Sequence, residues 1–484
     1  MKKALYISGG YEESQLLWII IIASSFCESK KINILLFDEL PSKKILENPI
    51  IKEIFCKHEI IISQNYLPFY YFSKYLRLLR FIKDILFHIL FINSKSLLKK
   101  KPWNKYQIFH AVWDLALLNS KKNSIKLSII DKLKASLEVM SKFHFTHCLC
   151  KKFKITAFLG HSVYQARAIF TALRENNCDV YVQANYALVK QDKFRDIAWN
   201  MPDRDLINKI KLNINKQDVE KYWNLRIEGK GNYEDAVKAS LSMNNYDKNF
   251  DEYKNVIMLH VFKDSPFNVI DQSRIFSDYI HWIKSTIKII KESNEKWLLR
   301  IHPNASSWGE NQNQIIDKLL DRDCNNIIIE KNKISNLELF KKVNRVVTYS
   351  GTSHLEAGIF GIKPIVISEV ISSKFLENAV FKPKIFQEYK KLLLTSSSSE
   401  IFKTTEQNKY SMKELLYIQE NILTIKNSIN AISIYRGSDT ETLNKNFNSI
   451  YRNLASNRDY LDLIGFKIAN DTTHTISKLL INRF

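Results

Sequence analysis

The chain reads Trp297-Leu298-Leu299-Arg300-Ile301-His302-Pro303-Asn304 and, further on, Val346-Val347-Thr348-Tyr349-Ser350-Gly351-Thr352-Ser353-His354-Leu355-Glu356-Ala357-Gly358. Each stretch opens with a short apolar run of the kind that forms a buried strand and ends in small or polar residues. The second passes straight into a helical pattern, and Gly361, Lys363-Pro364 and the apolar run Ile365-Val366-Ile367 follow. Strands alternating with helices at this rhythm predict a parallel sheet covered by helices. A helix start after a strand end offers unpaired backbone N–H groups and a partial positive charge, so the layout suits a phosphate.

Outward from this core the rhythm continues. Strands are expected at Val256–Leu259 and Ile327–Ile329, and helices at about 274–292, 312–320 and 334–342. Together they predict an α/β domain over 250–400, followed by a helical segment over 405–484. Near the start, Ala4–Ser8 reads as a strand ending at Gly9-Gly10. A helix over about Glu12 to Cys27 and the strand Ile32–Phe37 come next. Ile155–Leu159, the turn Gly160-His161-Ser162 and the strand Val180–Ala184 repeat the pattern. The prediction is a second α/β domain over 1–240, with the polar stretch 228–251 as the connection and Gln183–Asp205 as an irregular loop. Between the N-terminal strands, residues 65–150 form a basic helical insertion, with Lys74, Arg77 and Arg80 at helical spacing and Lys99-Lys100-Lys101 before Trp103. That composition suits either an anionic membrane surface or an ordinary insertion with a solvated face.

Composition bounds the function. A chain of 484 residues with 45% hydrophobic and 12% aromatic residues builds two or three buried cores and is no disordered tail. Its net charge of +22 favours anionic partners, although the abundance of Lys, Ile and Asn throughout reflects codon composition as well. The aromatic residues carry no RNA-binding signature, so nucleic acid is not an expected partner. Six cysteines stand without a regular framework, and Met1-Lys2-Lys3 leads straight into a strand without a signal pattern. The expectation is a reducing cytoplasm. His144, His147, Cys148 and Cys150 lack the paired spacing of a zinc module, and no metal is expected.

The chemistry concentrates at strand ends. Pro303 stops its strand and biases His302 toward extended backbone, so the imidazole can donate to a phosphate oxygen, with Arg300 and Asn304 beside it. Ser350, Gly351, Thr352 and Ser353 bring hydroxyls and amides to one turn, a metal-free phosphate cradle. Ser353 through Glu356 also fits a capping box, in which Glu356 bonds back to the helix start; Glu356 serves equally as an acceptor for a ribose. Gly358 and Gly361 suit close packing and the helix C-terminus. His260 and Asp264, after the first strand of this half, and Gly9 and Gly10 are further binding candidates. His161 sits where open α/β sheets bind ligands, or else caps its own helix.

Arg-x-His-Pro-Asn paired with Thr-Tyr-Ser-Gly-Thr-Ser-x-x-Glu-Ala-Gly-x-x-Gly-x-Lys-Pro resembles the capsule polysaccharide biosynthesis group of bacterial glycosyltransferases. That group has GT-B architecture and is similar to capsular Kdo-transferases and, more distantly, to bacterial sialyltransferases. The resemblance spans about residues 255–370. It implies two Rossmann-like parallel-sheet domains facing a cleft. It also implies that His302, Ser350, Thr352 and Ser353 are donor-site residues, and Arg300, Pro303, Asn304, Gly351 and Glu356 of the same turns are donor-binding candidates beside them. The sialyltransferase acidic motif that supplies the general base has no match here. Glu12, Glu13, His161 and Asp192 are the candidates for the group that takes the acceptor proton, with Glu13, His161 and Asp192 put forward as catalytic.

The expected activity is sugar transfer from a nucleotide-sugar donor to a surface polysaccharide acceptor (capsule, O-antigen or related, free or lipid-linked), without metal or cofactor. The expected location is the cytoplasm, with a peripheral position on the inner membrane face in one version. A nucleotide-sugar 2-epimerase of similar fold is the second enzyme reading. A non-catalytic polyanion-binding protein is the third, and it predicts salt-dependent binding with no response to nucleotides.

Overall fold

The computed structural model describes residues 1–8, 31–47, 49–62, 82–86, 104–119, 127–160, 164–184, 187–190, 204–228, 251–262, 279–303, 310–320, 325–330, 334–368 and 370–422. It also describes Leu16, Ile19, Ile20, Ala23, Ser24, Cys27, Lys30, Leu79, Ile275, Phe276 and Ala305. Outside them lie Gly9, Gly10, Glu12, Glu13, His161, Asp192, Asp264, Asn304, the Lys99–Lys101 cluster and the polar stretch 229–250.

The N-terminal sheet comprises β1 (Lys3–Ile7), β2 (Ile34–Phe37), β3 (Glu59–Ile62), β4 (Lys154–Gly160), β5 (Asp179–Ala184) and β6 (Ala187–Lys190), in the order β3-β2-β1-β4-β5-β6. β1 to β5 pair in parallel, and β6 turns back antiparallel on β5. Leu5, Tyr6, Ile7, Leu35, Leu36 and Phe37 are buried, as expected of strands covered on both faces. Leu16, Ile19, Ile20, Ala23 and Cys27 are helical and buried, at the spacing of one apolar helical stripe. The stretch expected to be an irregular loop, Gln183–Asp205, opens instead on the end of β5 and on β6, and its last two residues start a helix, while residues 191–203 lie outside the described residues. Four residues after a tight turn are enough for a strand when an edge is free to pair.

Within the basic insertion, helices occupy Asn104–Asn119 (α1) and Ile129–Lys152 (α2). α2 starts at a capping box, in which Ser128 Oγ accepts from the Asp131 amide and Asp131 accepts from the Ser128 amide. Ile85, Ile108, Trp113, Val139 and Met140 form a core of their own between these helices.

The C-terminal sheet comprises β7 (Asn255–Met258), β8 (Trp297–Arg300), β9 (Ile327–Glu330), β10 (Arg345–Thr348) and β11 (Ile365–Val366), all parallel, in the order β11-β10-β7-β8-β9. Side chains alternate between its faces. Val256, Leu298 and Val346 pack with Leu339, Phe340 and Ala357 on one side. Ile257, Leu299 and Val347 pack with Trp282, Ile283 and Trp297 on the other. The two parallel α/β sheets are the Rossmann-like pair that the alternation predicted.

Two helices that lie within the range 1–240 pack with segments of the C-terminal half. These are α3 (Arg204–Lys211) and α4 (Lys216–Ile227). Ile207, Ile210, Val219, Tyr222 and Trp223 share a core with Leu355 and Ile359 of α5 (Ser353–Ile359) and with Met412, Leu415 and Leu416 of α6 (Glu406–Tyr417). Neither helix was expected from the sequence, and their buried faces find partners only in the tertiary fold. Gly358 lets α6 approach, because a Cβ there would stand 2.9 Å from the Met412 methyl.

Candidate donor site at the carboxyl edge of the second sheet

β7 is followed in sequence by β8 and β9 on one side, and the chain then crosses to β10 on the other. The strand order therefore reverses between β7 and β10, the crevice where open α/β sheets hold ligands. His260 follows β7, His302 follows β8, and Tyr349 through Ser353 follow β10, so adjacent parallel strands deliver all three to one edge.

His260 is half-buried and bound to the β10 turn. Its Nε2 stands 2.6 Å from the Ser350 carbonyl and 3.2 Å from the Ser350 amide. The shorter contact requires a proton on Nε2, which donates to the carbonyl, and Thr348 Oγ1 donates to the same oxygen at 2.8 Å. The His260 ring stacks on Tyr279 at 5.2 Å, and Tyr279 meets Tyr349 edge-on at 4.5 Å. The His302 ring lies 6.2 Å from that of His260. Burial pushes the His260 imidazole down to about 4, against the opposing pull of its bond to Ser350, so it is neutral near pH 7.

Gly351 turns the chain with φ +91°, a left-handed conformation that a side chain resists. A Cβ at this position would also stand 3.2 Å from His260 Cε1. The Gly351 carbonyl accepts from Nδ1 of His354, a residue 2% exposed whose pKa burial likewise pushes down to about 4. The amides of Gly351, Thr352, Ser353 and His354 meet no acceptor in the described structure. With only seven residues in α5 the macrodipole is small, so the donors that matter are these individual N–H groups.

Gln312 ties the two histidine turns together, a role that no sequence motif announced. Its Oε1 accepts from the His302 amide at 2.8 Å, and its Nε2 donates to the His260 carbonyl at 2.6 Å and to Glu310 at 2.8 Å. Glu310 in turn accepts from the Phe262 amide at 3.0 Å. Gln312 and Glu310 are both buried. The only sequence signal was polar residues at the start of a helix that follows a His-Pro turn.

Two of the expected donor residues, Arg300 and Glu356, have other commitments. Arg300 is 2% exposed and donates to Glu330 at 3.0 Å and to the Ile334 carbonyl at 2.7 Å. Burial depresses its pKa, with Glu330 and then Glu356 opposing. Thr352, not Ser353, caps α5, and it makes no side-chain cap bond. The capping-box expectation for Glu356 is therefore overturned. Glu356 Oε1 accepts from Arg226 of α4 at 2.6 and 3.2 Å, and Oε2 accepts from Asn336 at 3.1 Å. Arg226 also donates to Glu420 at 2.6 Å, and the Tyr222 hydroxyl donates to the same carboxylate. Burial works against the Arg226 charge, but Glu420 and Glu356 outweigh it and hold the guanidinium protonated. Burial raises the Glu420 carboxyl.

No protein-family model and no curated protein sequence matches the chain. Among solved structures it is similar to the KpsC beta Kdo 2,4 transferase of Thermosulfurimonas dismutans, at 9% identity and a TM-score of 0.33 over 54% of this chain and 79% of that one. It is similar to the UDP-GlcNAc 2-epimerase of Methanocaldococcus jannaschii, at 14% identity and 0.27 over 86% and 99%. Anabaena HepE in complex with UDP-glucose matches at 11% identity and 0.28 over 94% and 100%. At these identities and scores the likeness carries no argument for activity.

Proposed function

We propose that the chain is a GT-B-type glycosyltransferase that binds a nucleotide-sugar donor at the β7/β10 edge and transfers the sugar to a surface polysaccharide. One observation carries this reading. At the point where strand order reverses, two histidine-bearing strand ends lie beside a turn whose amides from Gly351 to His354 meet no acceptor among the described residues. Such neutral donors suit the oxygens of a diphosphate and the charge that grows there as the sugar leaves. His302 is the imidazole assigned to direct contact with phosphate, together with Ser350, Thr352 and Ser353. The acceptor proton is assigned to Glu13, His161 or Asp192 of the N-terminal half.

The donor turn alone would serve a nucleotide-sugar 2-epimerase equally well. The transferase is favoured by the basic insertion, where Ile129, Ile130, Leu133 and Leu137 of α2 and Leu79, Ile82 and Leu86 stay exposed among lysines. That surface fits an anionic membrane carrying a lipid-linked acceptor. Among the described residues no helix is long and apolar enough to cross a membrane. Sedimentation with phosphatidylserine vesicles should carry the protein down at low salt and release it at high salt. Equal recovery with neutral vesicles would remove the membrane assignment, and free epimerised sugar formed without acceptor would reverse the choice of enzyme.

A thermal-shift screen of CMP, CDP, UDP and GDP tests the donor site. One nucleotide should raise the melting temperature of the wild type, by an amount set by its occupancy, and His302→Ala should lose that response. An identical response from the variant would withdraw His302 from the site.

A further inference from the structure

We propose that His260 and His354 are positioning residues that aim the Gly351 and Thr352 amides at the diphosphate of the ligand. This rests on the donor reading above. All described peptide bonds are trans, so the C=O and N–H of each peptide unit point in opposite directions. In the unit joining Ser350 to Gly351, the carbonyl is held by His260 Nε2 and Thr348 Oγ1, which directs the Gly351 N–H away from both. In the next unit the Gly351 carbonyl is held by His354 Nδ1, which directs the Thr352 N–H away from that ring. Neither amide meets an acceptor among the described residues.

The histidines matter because of the residue between these two units. Glycine populates both signs of φ with little preference, so the planes on either side of Gly351 are the easiest in the turn to rotate. Two side-chain donors on consecutive carbonyls remove that freedom before a ligand arrives, and preorganised donors cost no reorganisation when charge develops. Each ring is neutral near pH 7 and therefore has a single N–H, already given to a carbonyl. The rings thus act through the backbone, and His302 on the neighbouring strand end remains the imidazole for direct contact. The His354 Nε2 is buried without a partner, so replacing the ring by an amide that keeps only the Nδ1 donor breaks no second bond.

Calorimetric titration of the full chain with inorganic pyrophosphate tests this. His354→Leu and His260→Phe should each weaken pyrophosphate binding about tenfold or more while the protein stays folded. His354→Asn and His260→Gln place an amide N–H near the lost ring nitrogen and should restore most of the affinity, a rescue that a merely space-filling role would not give. Folded leucine and phenylalanine variants that bind as the wild type does would overturn the proposal, as would rescue variants as weak as the deletions. A measurement on the wild type covers variants that fail to fold. The chain has 11 glycines, so [15N]glycine labelling gives a sparse spectrum in which Gly351 is assigned by its loss in Gly351→Ala. That signal should move on adding pyrophosphate, and binding that leaves it in place overturns the proposal. Binding of pyrophosphate but of no nucleotide would keep this inference and remove the donor reading. Nucleotide binding with histidine variants unchanged toward pyrophosphate would do the opposite, and a wild type that binds neither sinks both.

Discussion

The carboxyl edges of the two sheets are built from the same kind of strand end and close in opposite ways. At the N-terminal edge, Ser8 after β1 donates to Asp38 after β2 at 3.3 Å, and Lys142 of α2 reaches Asp38 at 3.3 Å and Glu39 at 2.8 Å. Ser8 and Asp38 are buried, and every polar group just named has a protein partner. Burial works against the Lys142 charge, but Asp38, followed by Glu39 and Glu138, raises its pKa overall. At the C-terminal edge no charged side chain touches the Ser350–Ser353 turn among the bonds described; two neutral imidazoles hold its carbonyls, and the amides of Gly351, Thr352 and Ser353 meet no acceptor among the described residues. A strand end whose polar groups satisfy one another contributes stability. One whose donors are fixed and meet no acceptor among the described residues is organised for something that is not protein.

That contrast can be broken experimentally, and the largest effect is expected at the closed edge. Lys142→Met leaves the buried Asp38 carboxylate without its cation and should destabilise the chain by about 2–3 kcal/mol, less than a fully enclosed pair because Lys142 and Glu39 keep some solvent contact. Urea unfolding measures this, and nucleotide affinity should not change. A variant that loses nucleotide binding without losing stability would show the N-terminal edge to be a ligand site as well.

Gly351→Ala should reverse that pattern. The left-handed conformation costs an alanine about 1–2 kcal/mol, and the crowded His260 ring must shift, so the nucleotide response should vanish with only a modest loss of melting temperature. Retained binding in this variant would mean that the turn geometry is not what holds the ligand.

The smallest effect is one of pH. His354 moves from an ordinary pKa near 6.5 in the unfolded chain to about 4 in the folded one, so between these values the unfolded chain binds the extra proton. Stability from this group is complete above about 6.5 and falls as the pH drops toward 4, at most by about 1.4 kcal/mol per pH unit. His354→Asn has no such proton to bind, and its stability should fall less steeply across that window in parallel unfolding curves. Parallel slopes would indicate that His354 is not held neutral.

All the strands except β3 and β6 could be placed from sequence to within a residue or two, because fully buried parallel strands need continuous apolar runs bounded by turn residues, whereas these two edge strands are short and were not among those expected. His302, His260 and the Ser350–Ser353 turn were legible for the same reason, as polar groups at the ends of such runs. Arg300 shows what a motif conceals. It shares a face with Leu298, two residues earlier, and that face is covered by Ile334 and Leu339, so its guanidinium turns under the helical layer to Glu330. Glu356 illustrates the larger limit. Its spacing from Ser353 fits a cap, yet its partner is Arg226, 130 residues away in sequence, and no local pattern encodes that distance.

The sequence by itself determined most of the segments that become strands, that those segments pair in parallel, and which strand ends carry imidazoles, hydroxyls and a glycine able to turn at φ +91°. Those properties are local, set by side-chain periodicity and backbone sterics. The tertiary structure decided which strands are neighbours, and therefore that the order reverses between β7 and β10 and brings His260 against Ser350. It also decided that α3 and α4 join the second half. Gln312 spans the two histidine turns, and Arg226 claims Glu356, for the same reason: each partner is chosen by the long-range closing of the core, where many weak apolar contacts set the geometry that the polar groups then use.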